Sequence, residues 1–222
     1  MNGQRRENRS ECASEGQAFH GGYINSMTSE RLTRQIAFVV EADKLKTIVR
    51  RTPLTDNSRL ENSAEHSWRL AVAAMALYEY APKGTNLLRV LELVTVHDLV
   101  EIDAGDTFAY DAQAGIGKVD RERVAAERLF GLLPSEEAER TRALWEEFEA
   151  AESPEARFAN ALDRLQALLQ NMKAGGGSWV AHAVTRSQVL KRMEPIRTAM
   201  PGVWPFVLEV IQNACDGGYI RE

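Results

Sequence analysis

Asn86-Leu87-Leu88-Arg89-Val90-Leu91-Glu92-Leu93-Val94-Thr95-Val96-His97-Asp98-Leu99-Val100-Glu101-Ile102-Asp103 is the stretch that decides the fold. Its apolar residues go nearly all the way round a 3.6-residue helix, the pattern of a helix buried in a core. The spacing predicts one helix from Asn86 to Asp103. At about 100° per residue, His97 lies at 0°, Glu101 at about 40° and Asp98 at about 100°. Only Val94 interrupts that wedge, at about 60°. Buried ionisable groups are costly unless they are paired or hold a metal. From this helix alone, a salt-bridged His97–Asp98 pair at a helix edge and a functional site remain equally open.

Working outward, the 222 residues suit one domain with a tail. A hydrophobic share of 44% with 27% charged residues is the balance of a soluble globular protein. No apolar run approaches the ~20 residues of a transmembrane helix, so no membrane partner is expected. The net charge of −5 is spread over scattered basic and acidic residues. That argues against a nucleic-acid face. A small anionic substrate would therefore need a local source of positive charge, such as a metal. Cys12 and Cys215 lie near opposite ends without a C-x-x-C partner, so neither a thiolate zinc site nor a disulfide framework is expected. Residues 1–26 lack an apolar stretch and read as a disordered tail without a signal peptide, with Met27 as the natural start. Residues 27–222 form the domain, and a cytoplasmic location is the default.

Residues 30–49 are amphipathic. Arg50 to Arg59 read as a loop by their Pro, Asp, Asn and Ser. Asn62 and Glu65 resemble a capping box that opens a helix running to about Pro82, with His66 at its buried start. A lone core histidine is the simpler reading of His66. Ala104-Gly105 closes the central helix. Residues 118–132 and 135–151 read as outer helices. Ser153-Pro154 caps another, whose stripe is Phe158, Leu162, Leu165, Leu169 and Met172. Asp163 falls about 140° from that stripe. Periodicity alone exposes it, while the small Ala156, Ala159 and Ala167 beside it allow a second buried face. Gly175-Gly176-Gly177 lacks the Lys-Ser/Thr of a phosphate loop and reads as a flexible connection. Two helices, about 178–198 and 204–215, complete the chain. His20 and His182 are expected to be inert. No strand pattern stands out, and the fold class is all-α.

His66, His97, Asp98 and Asp163 thus lie across three helices. Two imidazoles and two carboxylates can bind one divalent cation, with positions left for water or substrate. The order His…His-Asp…Asp resembles that of the HD-domain metal phosphohydrolases, closest to the branch of the bacterial 5′-deoxynucleotidases and their eukaryotic relatives. Four stretches carry the resemblance: Arg51–Leu54, Arg59–Trp68 with its Glu61-Asn62-x-x-Glu65-His66, His97–Glu101 with Gly105-Asp106, and Ala161–Asp163.

The resemblance implies an HD-domain helical bundle with His66, His97, Asp98 and Asp163 as ligands of one divalent ion, drawn from Mn, Co, Fe, Mg, Ni or Zn. It implies Glu101 as the carboxyl that manages protons at the reacting water or leaving oxygen. Asp106 becomes a second acidic residue over the site, and Arg51 an arginine facing the nucleotide. In the bacterial deoxynucleotidases a tryptophan follows that arginine, and the pair is linked to preference for deoxyribose. Thr52 stands in its place here. The expected substrate is a small phosphomonoester, first of all a (deoxy)nucleoside 5′-monophosphate, and the expected assembly a homodimer. A regulatory module that binds a nucleotide without turnover is the alternative. The retained Glu101 and Asp106 favour the enzyme, because a pure binder has no need of a proton-transfer carboxyl.

Overall fold

The computed structural model describes residues 29–111, 113 and 115–222. The tail expected over residues 1–26 lies outside them. Helix α1 (Glu30–Ala42) leads through a 3-10 turn (Asp43–Thr47) into a hairpin of β1 (Val49–Pro53) and β2 (Leu60–Asn62). Then come α2 (Ser63–Ala76), α3 (Leu87–Val96), the short α4 (Glu101–Ala104), α5 (Lys118–Phe130), α6 (Ser135–Ala150), α7 (Pro154–Lys173), α8 (Gly177–Ala181), α9 (Arg186–Ala199) and α10 (Trp204–Asp216). The all-α expectation holds. The expected loop at residues 50–59 is instead partly a hairpin, with Val49 opposite Asn62 and Pro53 opposite Leu60.

Local signals set the helix starts. The Asn62 side chain accepts from Glu65 N at 2.9 Å while the Glu65 carboxylate accepts from Asn62 N, closing the expected capping box. Ser153 Oγ accepts from Ala156 N at 3.0 Å, with Pro154 in the first turn where no amide proton is needed.

The hub is α7 rather than the stretch around His97. It packs against α2, α3, α6, α8, α9, α10 and β1. Phe158, Ala159, Leu162, Leu165 and Leu168 are buried on it together with Asp163, Gln166, Gln170 and Asn171. Fully burying a side chain such as Phe158 contributes about 1.5–3 kcal/mol. Asp163 belongs to the second buried face that the small alanines allow. Its exposure, expected from periodicity, is corrected here: 8% of the residue remains accessible.

The predicted single helix over residues 86–103 is not continuous. After His97 N bonds Leu93 O, the chain tightens: Leu99 N bonds Val96 O, Glu101 N bonds Asp98 O, Ile102 N bonds Leu99 O and Asp103 N bonds Val100 O. Bonds three residues apart wind the backbone toward three residues per turn. Residues i and i+3 then eclipse, so Asp98 and Glu101 stand on the same side. Gly105, at φ +74°, ends the segment in a conformation that favours glycine.

The glycine run is no flexible connection. Gly176 and Gly177 have positive φ values of 94° and 41°. A Cβ on Gly177 would stand 2.8 Å from Asn171 Oδ1 and 3.0 Å from Pro53 Cγ. The close approach docks α8 on β1 and seats the buried Trp179. The expected helix over 178–198 is thereby split into α8 and α9, and that over 63–82 stops at Ala76 before a 3-10 turn (Tyr78–Tyr80).

Candidate metal centre

Three elements deliver the expected ligand set. The first turns of α2 carry His66, His97 ends α3, Asp98 begins the tightened turn, and α7 brings Asp163 across from the far side. One ligand atom each of His66, His97 and Asp98 lies within 4.8 Å of the others. His97 Nε2 stands 3.0 Å from Asp98 Oδ1, and His66 Nε2 stands 2.9 Å from Asp163 Oδ1 and 3.9 Å from Asp98 Oδ2. All four residues are buried.

The decisive detail is that both Nε2 atoms are buried without a hydrogen-bond partner. Each faces a carboxylate oxygen at contact distance yet without hydrogen-bond alignment. Buried orphans of this kind are costly and rare. The ligand atoms of His66, His97 and Asp98 cluster as a donor set that fits a divalent cation, and Asp163 adjoins it through His66 Nε2.

Surrounding contacts fix both rings in place, and for His97 they also fix the tautomer. His97 Nδ1 is 2.9 Å from Val94 O, so Nδ1 carries the proton, and Nε2 keeps its lone pair when the ring is neutral. Phe148 from α6 packs on that ring at 4.5 Å between centroids. His66 Nδ1 lies 3.0 Å from Gln166 Nε2 and 3.4 Å from Glu61 Oε2. Gln166 and Gln170 donate to Glu61 Oε1 at 3.0 and 2.8 Å. Glu61 is thus held beneath the His66 ring by two glutamine amides.

Arg50 answers the negative charge. Its guanidinium donates to Asp98 Oδ2 at 2.8 Å and reaches Asp106 at 3.6 Å and Glu101 at 3.8 Å. Burial works against its charge, but Asp98, Glu101 and Asp106 hold it protonated more firmly than an ordinary arginine. Asp98 keeps its carboxyl well below the usual range, because His97 and Arg50 outweigh burial. Asp163 is likewise depressed by Arg164 and His66 against burial. Glu101 moves the other way. Burial and neighbouring Asp98 push it up to about 8, with Arg50 and the Ser63 hydroxyl pulling back. Asp106 is also raised, chiefly by burial. His97 is raised by Asp98 against burial, so a metal and a proton compete for its Nε2.

Asp98 and Glu101 therefore sit side by side with opposite proton affinities, one a carboxylate and the other a carboxylic acid near neutral pH. Separated proton affinities are how sites assign acid and base roles. The Ser63 Oγ donates to Glu101 Oε2 at 2.6 Å and fixes the acid.

Of the sequence-expected residues, the structure brings His66, His97, Asp98, Asp163, Glu101 and Asp106 together. Arg51 is exposed and stands on the wall of the adjoining cleft. Sequence reasoning missed Arg50, the buried arginine of the site. Strand alternation was the available signal: neighbouring strand residues point to opposite sides, so only one of Arg50 and Arg51 turns inward. A cavity of about 790 Å³, lined by Arg157, Asn160, Glu194 and Trp204, lies away from these groups. Its volume does not mark the chemistry.

Residues 42–204 match the family model described as HD domain, and the chain belongs to that family. A crystal structure of a predicted metal-dependent phosphohydrolase from Magnetospirillum magnetotacticum is 49% identical, with a TM-score of 0.83 over 86% of this chain and 96% of that one. The human 5′-deoxynucleotidase HDDC2 is 34% identical over 112 residues, 50% of this chain and 53% of that protein. The 5′-deoxynucleotidase Ent638_2835 of Enterobacter is 26% identical over 74% of this chain and 85% of its own length. The chain spans about half the length of the first of these curated relatives.

Proposed function

We propose that this protein is a metal-dependent phosphohydrolase that removes phosphate from a small phosphomonoester, first of all a (deoxy)nucleoside 5′-monophosphate. The observation that carries the reading is the pair of orphaned Nε2 atoms of His66 and His97 converging with Asp98 and Asp163. The relatives named 5′-deoxynucleotidase support the substrate class. In this reading those four residues hold one divalent ion. Such an ion polarises phosphoryl oxygens and lowers the pKa of water. Glu101, beside Asp98 and held by the Ser63 hydroxyl, delivers a proton to the leaving oxygen or exchanges one with the attacking water. Asp106 shares Arg50 with Glu101 and closes the site from the following loop. Arg51 meets the nucleotide at the mouth.

A cytoplasmic homodimer belongs to the same reading. Leu32, Ile36, Val39 and Val40 form one exposed apolar stripe on α1, none of whose residues is buried, which supports a partner there. Sedimentation at micromolar concentration that returns only monomer removes the dimer. No helix among the described residues is long and apolar enough to cross a membrane.

The test is a phosphate-release screen over nucleoside monophosphates and other phosphomonoesters with Mn, Co, Mg, Fe, Ni and Zn, beside the His97→Ala protein. Metal-dependent release that His97→Ala abolishes is expected. Tight nucleotide binding without release from any phosphomonoester favours the regulatory module instead.

A further inference from the structure

A second arginine beside the centre has no partner among the described residues. Arg192, on α9, lines the cleft that also contains Asp163, Asp106, Tyr110 and Arg50. It is half-buried, yet it makes no hydrogen bond and no ion pair within 4 Å among the described residues. The other cationic side chains nearby are committed. Arg50 is bound to Asp98 and within reach of Glu101 and Asp106. Arg164 is paired with Asp163. Arg59 forms a two-pronged pair with Glu65, at 2.9 and 2.5 Å, on a different face. Arg51 has no partner among the described residues but is exposed, so water satisfies it.

A guanidinium held partly desolvated in a cleft without a counter-ion nearby costs the folded chain something that an entering anion offsets. Burial, with Arg164 next to it, pushes Arg192 down to about 10, and Asp163 and Tyr110 only partly offset this. With Asp98 and Asp163 balancing the two charges of a dication, the centre itself offers a dianion little net attraction. A positive group adjoining Asp163 and facing the cleft supplies what the centre lacks. Guanidinium also presents a planar fork of donors that matches two oxygens of a tetrahedral oxyanion.

We propose that Arg192 is the phosphate anchor of this site, binding the phosphoryl oxygens of the substrate from the α9 side while the ligand residues hold the opposite side. This rests on the phosphohydrolase reading for the identity of the anion. Only the fork of Arg192 is required for oxyanion binding as such. The long stem packing against α7 is a separate function that Met at the same position preserves.

The experiment is titration calorimetry of orthophosphate onto the protein loaded with the ion that the phosphate-release screen selects, or with manganese if none is selected. Parent, Arg192→Met, Arg192→Lys and, as control, Lys191→Met on the exposed side of α9 are compared, with metal stoichiometry measured on each. Arg192→Met is expected to weaken orthophosphate at least about tenfold with metal content unchanged, and to raise KM for the phosphomonoester by a similar factor. Arg192→Lys keeps the charge without the fork and falls between. Lys191→Met matches the parent. An Arg192→Met affinity within about twofold of the parent overturns the proposal, as does a parent that binds no orthophosphate. Should Arg192→Met fail to fold, Arg192→Gln gives the same reading with a polar head. If the parent releases phosphate from nothing, the functional reading falls, while the orthophosphate series still decides Arg192.

Discussion

Two walls of the same cleft differ in how their charges are settled. The α2–α3–α7 wall carries His66, His97, Asp98 and Asp163, each buried and held by a neighbour. The β1–α9 wall carries Arg51 and Arg192, whose guanidinium groups meet no acceptor among the described residues. Arg50 bridges the two, since it grows from β1 but is consumed by Asp98. One wall is finished before any ligand arrives; the other is completed only by what enters. Groups that must be ready beforehand and groups that must stay available are thus kept on separate elements.

The largest effect comes from breaking the finished wall. His97→Ala or Asp163→Ala should lose the metal and reduce turnover by about 10⁴-fold or more, over ~5 kcal/mol of barrier. Metal analysis beside kcat checks it, and full occupancy in both proteins would remove these residues from the ligand set. Next comes the acid on that wall. Glu101→Gln keeps its shape and the contact with Ser63 but can no longer deliver a proton. Turnover should fall about 10²–10⁴-fold with metal content retained. Undiminished kcat takes Glu101 out of the mechanism.

Removing the bridge tests whether the walls are electrostatically coupled. Arg50→Met leaves Asp98 and Asp106 without their cation, and denaturant unfolding of the metal-free protein should show a loss of about 3–5 kcal/mol. Added divalent ion should recover part of it. A midpoint equal to the parent's would mean that the carboxylates need no counter-charge.

The smallest effect is a pH slope in the metal-free protein. Glu101 holds its proton up to about pH 8 when folded, against an ordinary 4.5. The folded state therefore binds more protons than the unfolded one between those values, and stability falls as pH rises through them. Below about 4.5 the contribution is constant. His97 and Asp106 are raised too and add to the same slope, whereas Asp98 and Asp163 are depressed and act only below about 3.8. Arg50, Asp98, Asp106 and Ser63 are the groups facing Glu101. Tm should decline from pH 5 to pH 8, on the order of 1 kcal/mol in stability or more, and Glu101→Gln should flatten the decline. A parent profile that rises over this interval contradicts the assignment.

The finished wall was legible because its residues interrupt strong patterns: His97, Asp98 and Glu101 break an apolar helix, and His66 follows a capping box. Asp163 was legible only through the motif order. A wheel drawn on the largest side chains of α7 turns it outward, because a helix buried on all sides has no polar face to contrast with. The open wall left no such mark. Arg50 and Arg51 sit in a hairpin too short and too polar to show strand alternation until its partner is known. Arg192 stands among other charged residues of α9, and only its place beside α7 distinguishes it from them. Gly177 looked like slack chain because its neighbours, Pro53 and Asn171, are distant in sequence.

The all-round burial of α7 also fixes when the site can come into being. Its contacts reach back to β1 and α2, about a hundred residues earlier, and forward to α9 and α10. Pairings this far apart in sequence close slowly, and a chain emerging from its N-terminus has His66, His97 and Asp98 in hand long before Asp163. A nascent chain stopped ahead of Pro154 would hold three of the four ligands with no hub to gather them. The metal centre is thus a late product of synthesis, and ion capture should follow, rather than precede, the docking of the C-terminal helices.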